Sequence, residues 1–293
     1  MLISQELLAK IKKIQVKTDR MASEILSGEY KSAFRGKGLN FEAIREYQVG
    51  DDLRSLDWKV TARMQAPFIR QYKEERQLSI VVIVDLSASS SFGTQEQSKR
   101  EMSVELASVL ASLAIKSNDK VGMMLITDKV ESYVPPKQGK AHIFRLIKDL
   151  LTFQPSSKRT DLKYALTEAI ALIPKRTVVF LISDFIDESD YERELKVLRK
   201  TQDLIAISVR DPREFSLPNI GYIEVINPET GHKELLNLNK KSIRELFIHQ
   251  QKLHLANLKV RFKKLGIDFL DLATNRPYIS TLLNLFLTRE RRG

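Results

Sequence analysis

Residues 79–89 read Ser-Ile-Val-Val-Ile-Val-Asp-Leu-Ser-Ala-Ser. The stretch 79–86 is a short, nearly continuous apolar run rich in β-branched side chains. Such a run suits a strand buried on both faces of a parallel sheet, because both alternating side-chain directions then meet a core. It passes without a spacer into Asp85, Ser87 and Ser89. A polar turn placed there puts one carboxylate and two hydroxyls at the carboxyl end of the strand, where an open parallel sheet forms its ligand crevice.

Downstream, the pattern alternates. A helix is expected over about 97–116, a strand over 121–127, an edge strand over 130–134, a helix over about 140–152 and another starting at Thr160, with that threonine as its N-cap. A strand over 177–183, a helix over about 189–200 and a strand over 203–209 follow. Residues 220–236 read as a β-hairpin with a longer loop around Asn-Pro-Glu-Thr-Gly. A long helix over about 241–265 leads to a last strand over 267–272, and Pro277 opens an apolar helix with a basic end. Regular alternation of strand and helix predicts an α/β fold with a doubly wound, mainly parallel, Rossmann-like sheet.

Upstream, Ile3, Leu7, Ile11, Ile14, Thr18, Met21 and Ile25 recur at helical spacing, so 3–26 reads as an amphipathic helix ended by Gly28. Its stripe suits packing on its own domain or a short coiled-coil seam for a partner. Residues 28–78, rich in Gly, Arg and Asp, read as a loop-rich cap without a core of its own. The chain is therefore expected to divide into a helix and cap at 1–78, the α/β domain at 79–276 and a C-terminal helix and tail at 277–293.

The 293 residues are 43% hydrophobic and 29% charged, the proportions of a folded globular protein rather than a disordered one. No run approaches the roughly 18 apolar residues of a membrane span, and lysines stand where a signal peptide would need its apolar stretch. This predicts a cytoplasmic protein. There is no cysteine, so thiolate metal sites and disulfides are excluded. The net charge of +11 is spread as +4 over 1–78, +2 over 79–210 and +5 over 211–293. Without a basic arm or interleaved aromatics, the distribution speaks against nucleic-acid binding.

Strand 177–183 ends in Ser183-Asp184, a second carboxylate expected at the same sheet edge as Asp85, and Thr160 opens a helix between them in sequence. Two carboxylates and three hydroxyls form a hard-oxygen ligand set suited to Mg²⁺ or Mn²⁺. Asp85-x-Ser87-x-Ser89 with Thr160 and Asp184 resembles the metal-ion-dependent adhesion site of von Willebrand factor A domains. That resemblance implies an A-like fold, with Ser87, Ser89 and Thr160 as direct ligands and Asp85 and Asp184 acting mostly through water. One departure is Lys158-Arg159 before Thr160, where such domains often carry glycine.

Further motifs are similar to the bacterial family named domain of unknown function 58. They are Arg35-Gly-Lys-Gly-Leu-Asn-Phe-Glu, Arg45-Glu-Tyr-Gln-Val-Gly-Asp-Asp-Leu-Arg, Leu56-Asp-Trp, Thr61-Ala-Arg and Glu74-Glu-Arg. The similarity covers at least residues 28–130. It implies a non-enzymatic, metal-dependent adaptor that binds an acidic residue of a protein partner, such as a MoxR-type AAA+ ATPase or another A-domain protein, in assembly or stress response.

Asp51, Asp52 and Asp57 with Arg45, Arg54 and Arg63 suit either a second site or an ion-pair network fixing the cap. Gly36 and Gly38 do not follow a strand, and no nucleotide-binding loop occurs. A phosphohydrolase using Asp85 would need a second Asp two residues on, where Ser87 stands. The four histidines, His142, His232, His249 and His254, lie away from the metal-site loops in sequence. A weak peripheral membrane contact through 277–293 competes with a helix that closes the core.

Overall fold

The β-branched residues 80–84 occupy the centre of a strand and are wholly excluded from solvent. The computed structural model describes residues 5–26, 39–52, 55–64, 66–74, 77–93, 97–187, 189–226 and 232–292. In chain order these form α1 (Gln5–Leu26), β1 (Leu39–Glu46), α2 (Trp58–Met64), β2 (Phe68–Glu74), β3 (Ser79–Asp85), α3 (Lys99–Lys116), β4 (Lys120–Ile126), β5 (Val130–Lys137) and α4 (Lys140–Thr152). Then follow α5 (Leu162–Leu172), β6 (Val178–Ser183), α6 (Glu192–Thr201), β7 (Asp203–Arg210), β8 (Tyr222–Ile226), β9 (Lys233–Asn237), α7 (Lys241–Leu265), β10 (Asp268–Ala273) and α8 (Ile279–Arg292). Gly28, Arg35, Gly36, Gly38, Arg54 and Arg76, which carry parts of the expected helix end, cap and signature, lie outside the described residues.

Six strands form the central sheet in the order β10-β7-β6-β3-β4-β5. All neighbours are parallel except β5, which runs antiparallel to β4 at the edge. The chain leaves β3 first toward β4 and β5, then returns to lay β6, β7 and β10 on the other side. The switch in direction falls between β3 and β6. The β4–β5 pairing is close: a Cβ added at Gly122 would stand 2.6 Å from the Val134 carbonyl oxygen, so only glycine fits there.

Each face of the sheet is covered. On one side Ile80, Val82 and Val84 pack with Leu106 and Leu110 of α3, Leu146 of α4, Ala22 and Ile25 of α1, and Leu282 and Phe286 of α8. On the other, Val81 and Ile83 pack with Leu166 of α5, Leu195 of α6 and Leu258 and Phe262 of α7. Alternating side chains of one strand thus feed two cores, as the unbroken apolar run requires. Ile14, Met21 and Ile25 of the N-terminal stripe face the first of them. Among the described residues, no helix is long and apolar enough to cross a membrane.

Two local expectations are corrected. The cap holds an antiparallel strand pair, β1 with β2, in addition to loops; a register shift between Phe41 and Ala43 breaks the alternation that would have marked β1 in the sequence. The N-cap of α5 is Asp161, whose carboxylate accepts the Tyr164 N–H at 2.8 Å, and not Thr160. In the cap, Arg45 makes a bidentate pair with Asp51 at 2.8 Å for both bonds. Buried Asp57 accepts the N–H of Lys59 at 3.0 Å at the start of α2. These two acids therefore serve local structure.

Candidate functional site

The switch point places Asp85, at the end of β3, beside the loop that leaves β6. Asp85 is buried, and both of its oxygens are engaged. Oδ1 accepts the Ser87 N–H at 2.9 Å and Oδ2 accepts the Ser183 hydroxyl at 2.6 Å. The Ser183 oxygen in turn accepts the Phe185 N–H at 2.9 Å, so one hydroxyl clips the ends of both strands together. Ser87 and Ser89 bring their hydroxyl oxygens to 3.1 Å from each other, and Ser90 closes the turn by donating to the Ser87 carbonyl at 2.7 Å.

Asp184 follows on β6. Its Oδ1 accepts the Ile186 N–H at 3.1 Å and its Oδ2 accepts the Lys99 ammonium at 2.7 Å. Between these, Phe185 adopts φ 57°, a left-handed conformation that costs a residue with a Cβ about 1–2 kcal/mol. Its ring is fully buried and meets Phe262 edge-on at 5.1 Å, which offsets that cost. The turn that aims Asp184 is thus fixed by packing on the far side of the sheet.

The loop that carries Thr160 is pinned beside the site. The Lys158 carbonyl accepts the Ala88 N–H at 3.0 Å, joining this loop to the Ser87–Ser89 turn. From β5, Glu131 accepts the N–H of Ser156 at 3.0 Å and of Ser157 at 3.2 Å, and the Ser156 hydroxyl at 2.8 Å. Burial works against the Glu131 charge, yet the Ser156 and Thr127 hydroxyls and these amides hold its pKa below the usual value. Asp187, beyond Asp184, accepts the Leu162 N–H at 2.6 Å and ties the β6 loop to the start of α5. Thr160 itself is half-buried.

Electrostatically the site holds unbalanced negative charge. Burial, then the Asp184 charge, pushes the Asp85 carboxyl up to about 6, against the hydrogen bonds from Ser183 and Ser87. The ammonium of Lys99, a buried residue on the first turn of α3, also lies 2.8 Å from Glu214, so it bridges two carboxylates. Burial disfavours its charge, but Asp184 and Glu214 outweigh burial and raise its pKa. The ammonium therefore pairs with Asp184 and Glu214, while Asp85 is held by hydroxyl and amide donors. Ser87, Ser89 and Thr160 could offer neutral oxygen donors to a cation, and Asp85 and Asp184 the charge. Among the described residues, no three Asp, Glu or His side chains converge as a ligand cluster; the donor set here is mainly hydroxyl.

Sequence reading thus finds Asp85, Ser87, Ser89 and Asp184 at one edge and Thr160 on an adjoining loop, and it misses Lys99 and Glu214. Neither shows a local signal, since they lie 85 and 115 positions from the groups they pair with.

These features define a doubly wound α/β protein with an oxygen-rich cluster at the topological switch point. The family described as "Protein of unknown function DUF58" matches residues 43–257, and the chain belongs to it. An uncharacterized protein of Mycobacterium bovis is 27% identical over 290 residues, covering 98% of this chain and 91% of the relative. An uncharacterized Mycobacterium tuberculosis protein matches to the same extent. Among solved structures, BatB from Bacteroides thetaiotaomicron aligns over 74% of this chain and 100% of its own, with 13% identity and a TM-score of 0.45. An aerotolerance-related membrane protein from Bacteroides fragilis aligns over the same shares, with 14% identity and a TM-score of 0.48.

Proposed function

We propose that this protein is a non-enzymatic, metal-dependent adaptor of the von Willebrand factor A type, which binds a protein partner through an acidic side chain. The observation that carries the reading is the meeting of Asp85 and Asp184 at the switch point, beside the paired Ser87 and Ser89 hydroxyls, with more carboxylate than ammonium. Such a set suits a hard divalent ion, and Ser87, Ser89 and Thr160 would hold it directly while Asp85 and Asp184 act through water. When bound, Mg²⁺ or Mn²⁺ supplies a partly hydrated positive centre with room for one outside carboxylate.

The chain's own part is to keep the ligands fixed and neutral hydroxyls foremost. The Ser183 clip and the left-handed Phe185 turn hold the two carboxylates, and Glu131 holds the loop that brings Thr160. An acidic residue on a MoxR-type AAA+ ATPase, or on another A-domain protein, fits this chemistry, and such a partnership in the cytoplasm would serve assembly or stress response. The Ser183 hydroxyl, which donates to Asp85, is buried and also accepts the Phe185 N–H, so it is committed to joining the strand ends, which supports binding over turnover.

Calorimetry should detect one Mg²⁺ or Mn²⁺ per chain, and Ser87→Ala should weaken binding about tenfold or more while thermal unfolding shows an intact fold. In pull-downs, EDTA, Asp85→Ala and Thr160→Ala should each abolish capture of the partner. Absence of binding by the wild type in millimolar metal, or a hydrolytic activity that disappears in Asp85→Ala, overturns the reading.

A further inference from the structure

Lys99 belongs to no part of that ligand set, yet it is among the most buried charges of the molecule, at 2% exposure. The capped start of α3 delivers it: Ser98 and Glu101 form a capping box, which fixes the first turn and the direction of the next side chain. Its ammonium is 2.7 Å from Asp184 Oδ2 and 2.8 Å from Glu214 Oε1. Glu214 is itself anchored, because its other oxygen accepts the Asp211 N–H at 3.2 Å in the turn after β7. A buried ammonium held at such distances on both sides has no freedom to swing away.

We infer that Lys99 is a tethered counter-ion that competes with the divalent cation for the charge of Asp184, and that Glu214 limits this competition by sharing the ammonium. The pair would set how tightly the site holds metal. The inference rests on the adaptor reading and extends it to regulation. When all are ionised, Asp85, Asp184 and Glu214 carry three negative charges against the one of Lys99, leaving two for a divalent ion. Removing Lys99 raises the excess to three; neutralising Glu214 lowers it to one and leaves the ammonium wholly on Asp184. Charges a few ångströms apart in a partly dry site interact strongly enough for a single one to change an affinity about tenfold or more. A site weakened in this way gains its cation fully only when an outside carboxylate adds its charge, so metal and partner would bind cooperatively.

The test is a charge ladder. Affinity for MnCl₂ and for MgCl₂ is measured at pH 8 by calorimetry for the wild type, Lys99→Met, Glu214→Gln and the double variant, each checked for folding by circular dichroism. Lys99→Met should bind metal about tenfold or more tightly than the wild type, Glu214→Gln about tenfold or more weakly, and the double variant close to the wild type. Were Lys99 only a structural pin, both single variants would lose affinity together, and that result overturns the inference. If Lys99→Met fails to fold, the comparison of Glu214→Gln with the double variant decides: restored affinity in the double supports the counter-ion, and unchanged or lower affinity rejects it. A wild type that binds neither metal rejects the site itself, an outcome distinct from a wild type that binds but whose variants do not follow charge.

Discussion

At Asp85, burial and then the neighbouring Asp184 charge oppose the carboxylate while hydrogen bonds from Ser183 and Ser87 favour it, and the opposition wins, with the pKa pushed up to about 6. The folded state therefore holds this proton more tightly than the unfolded chain does. Its contribution to stability is fully present below the ordinary carboxylate range near 4 and is lost as pH rises through about 6. In EDTA, the melting temperature should fall between pH 4 and 6.5 by more in the wild type than in Asp85→Asn; parallel curves would show that Asp85 does not carry the effect. Asp85, Ser87 and Ser89 were legible because they are adjacent in sequence on one strand end, and Asp184 because it ends another strand. Ser183 stands in plain view beside Asp184, but its bond to Asp85 spans 98 positions and no periodicity reports it.

At the level of elements, the buried strands were the most legible, since β3, β4, β6 and β7 each need apolar residues on both faces and so write unbroken runs. Caps and loops were less so. Thr160 and Asp161 are both cap formers by residue type, aspartate the better of the two, and it is the Asp161 carboxylate that accepts the Tyr164 N–H. Likewise, nothing near Glu131 reveals that this edge-strand residue organises a loop some 25 positions away. Glu131→Ala leaves two amides and a hydroxyl of that loop without their acceptor, but Ser156 is exposed and can turn to water, so it should cost about 0.5–1.5 kcal/mol. It should also weaken metal binding through Thr160 without touching any ligand. Urea unfolding paired with metal titration checks both; unaltered metal affinity would mean that the loop keeps its place without Glu131.

Across the whole molecule, the two faces of the sheet are closed by different parts of the chain. One is covered by α5, α6 and α7, and the other by α3 and α4 together with α1 and α8. Glu105 of α3 joins these last two: Lys17 of α1 reaches it at 2.6 Å, and the Tyr278 hydroxyl beside α8 donates to it at 2.8 Å. Burial, then the Glu105 charge, raises the Tyr278 pKa and keeps that hydroxyl a donor. Leu282 is fully buried at this seam. Leu282→Ala should destabilise the protein by about 2–5 kcal/mol in urea unfolding, whereas a change below 0.5 kcal/mol, the size of an ordinary surface substitution, would show that α8 is not an integral part of the core.

The placement of α8 also bears on how the protein is made. A ribosome delivers the sheet's opposite face, with α5 to α7, before it delivers Leu282 and Phe286. At about 5–20 residues per second, α3 emerges on the order of ten seconds ahead of α8. Through that interval α1 can already pack on α3, but the flank that Leu282 and Phe286 will cover stays open. That flank is where a nascent-chain chaperone has the most to hold, and where release before α8 has emerged would leave the chain most open to aggregation.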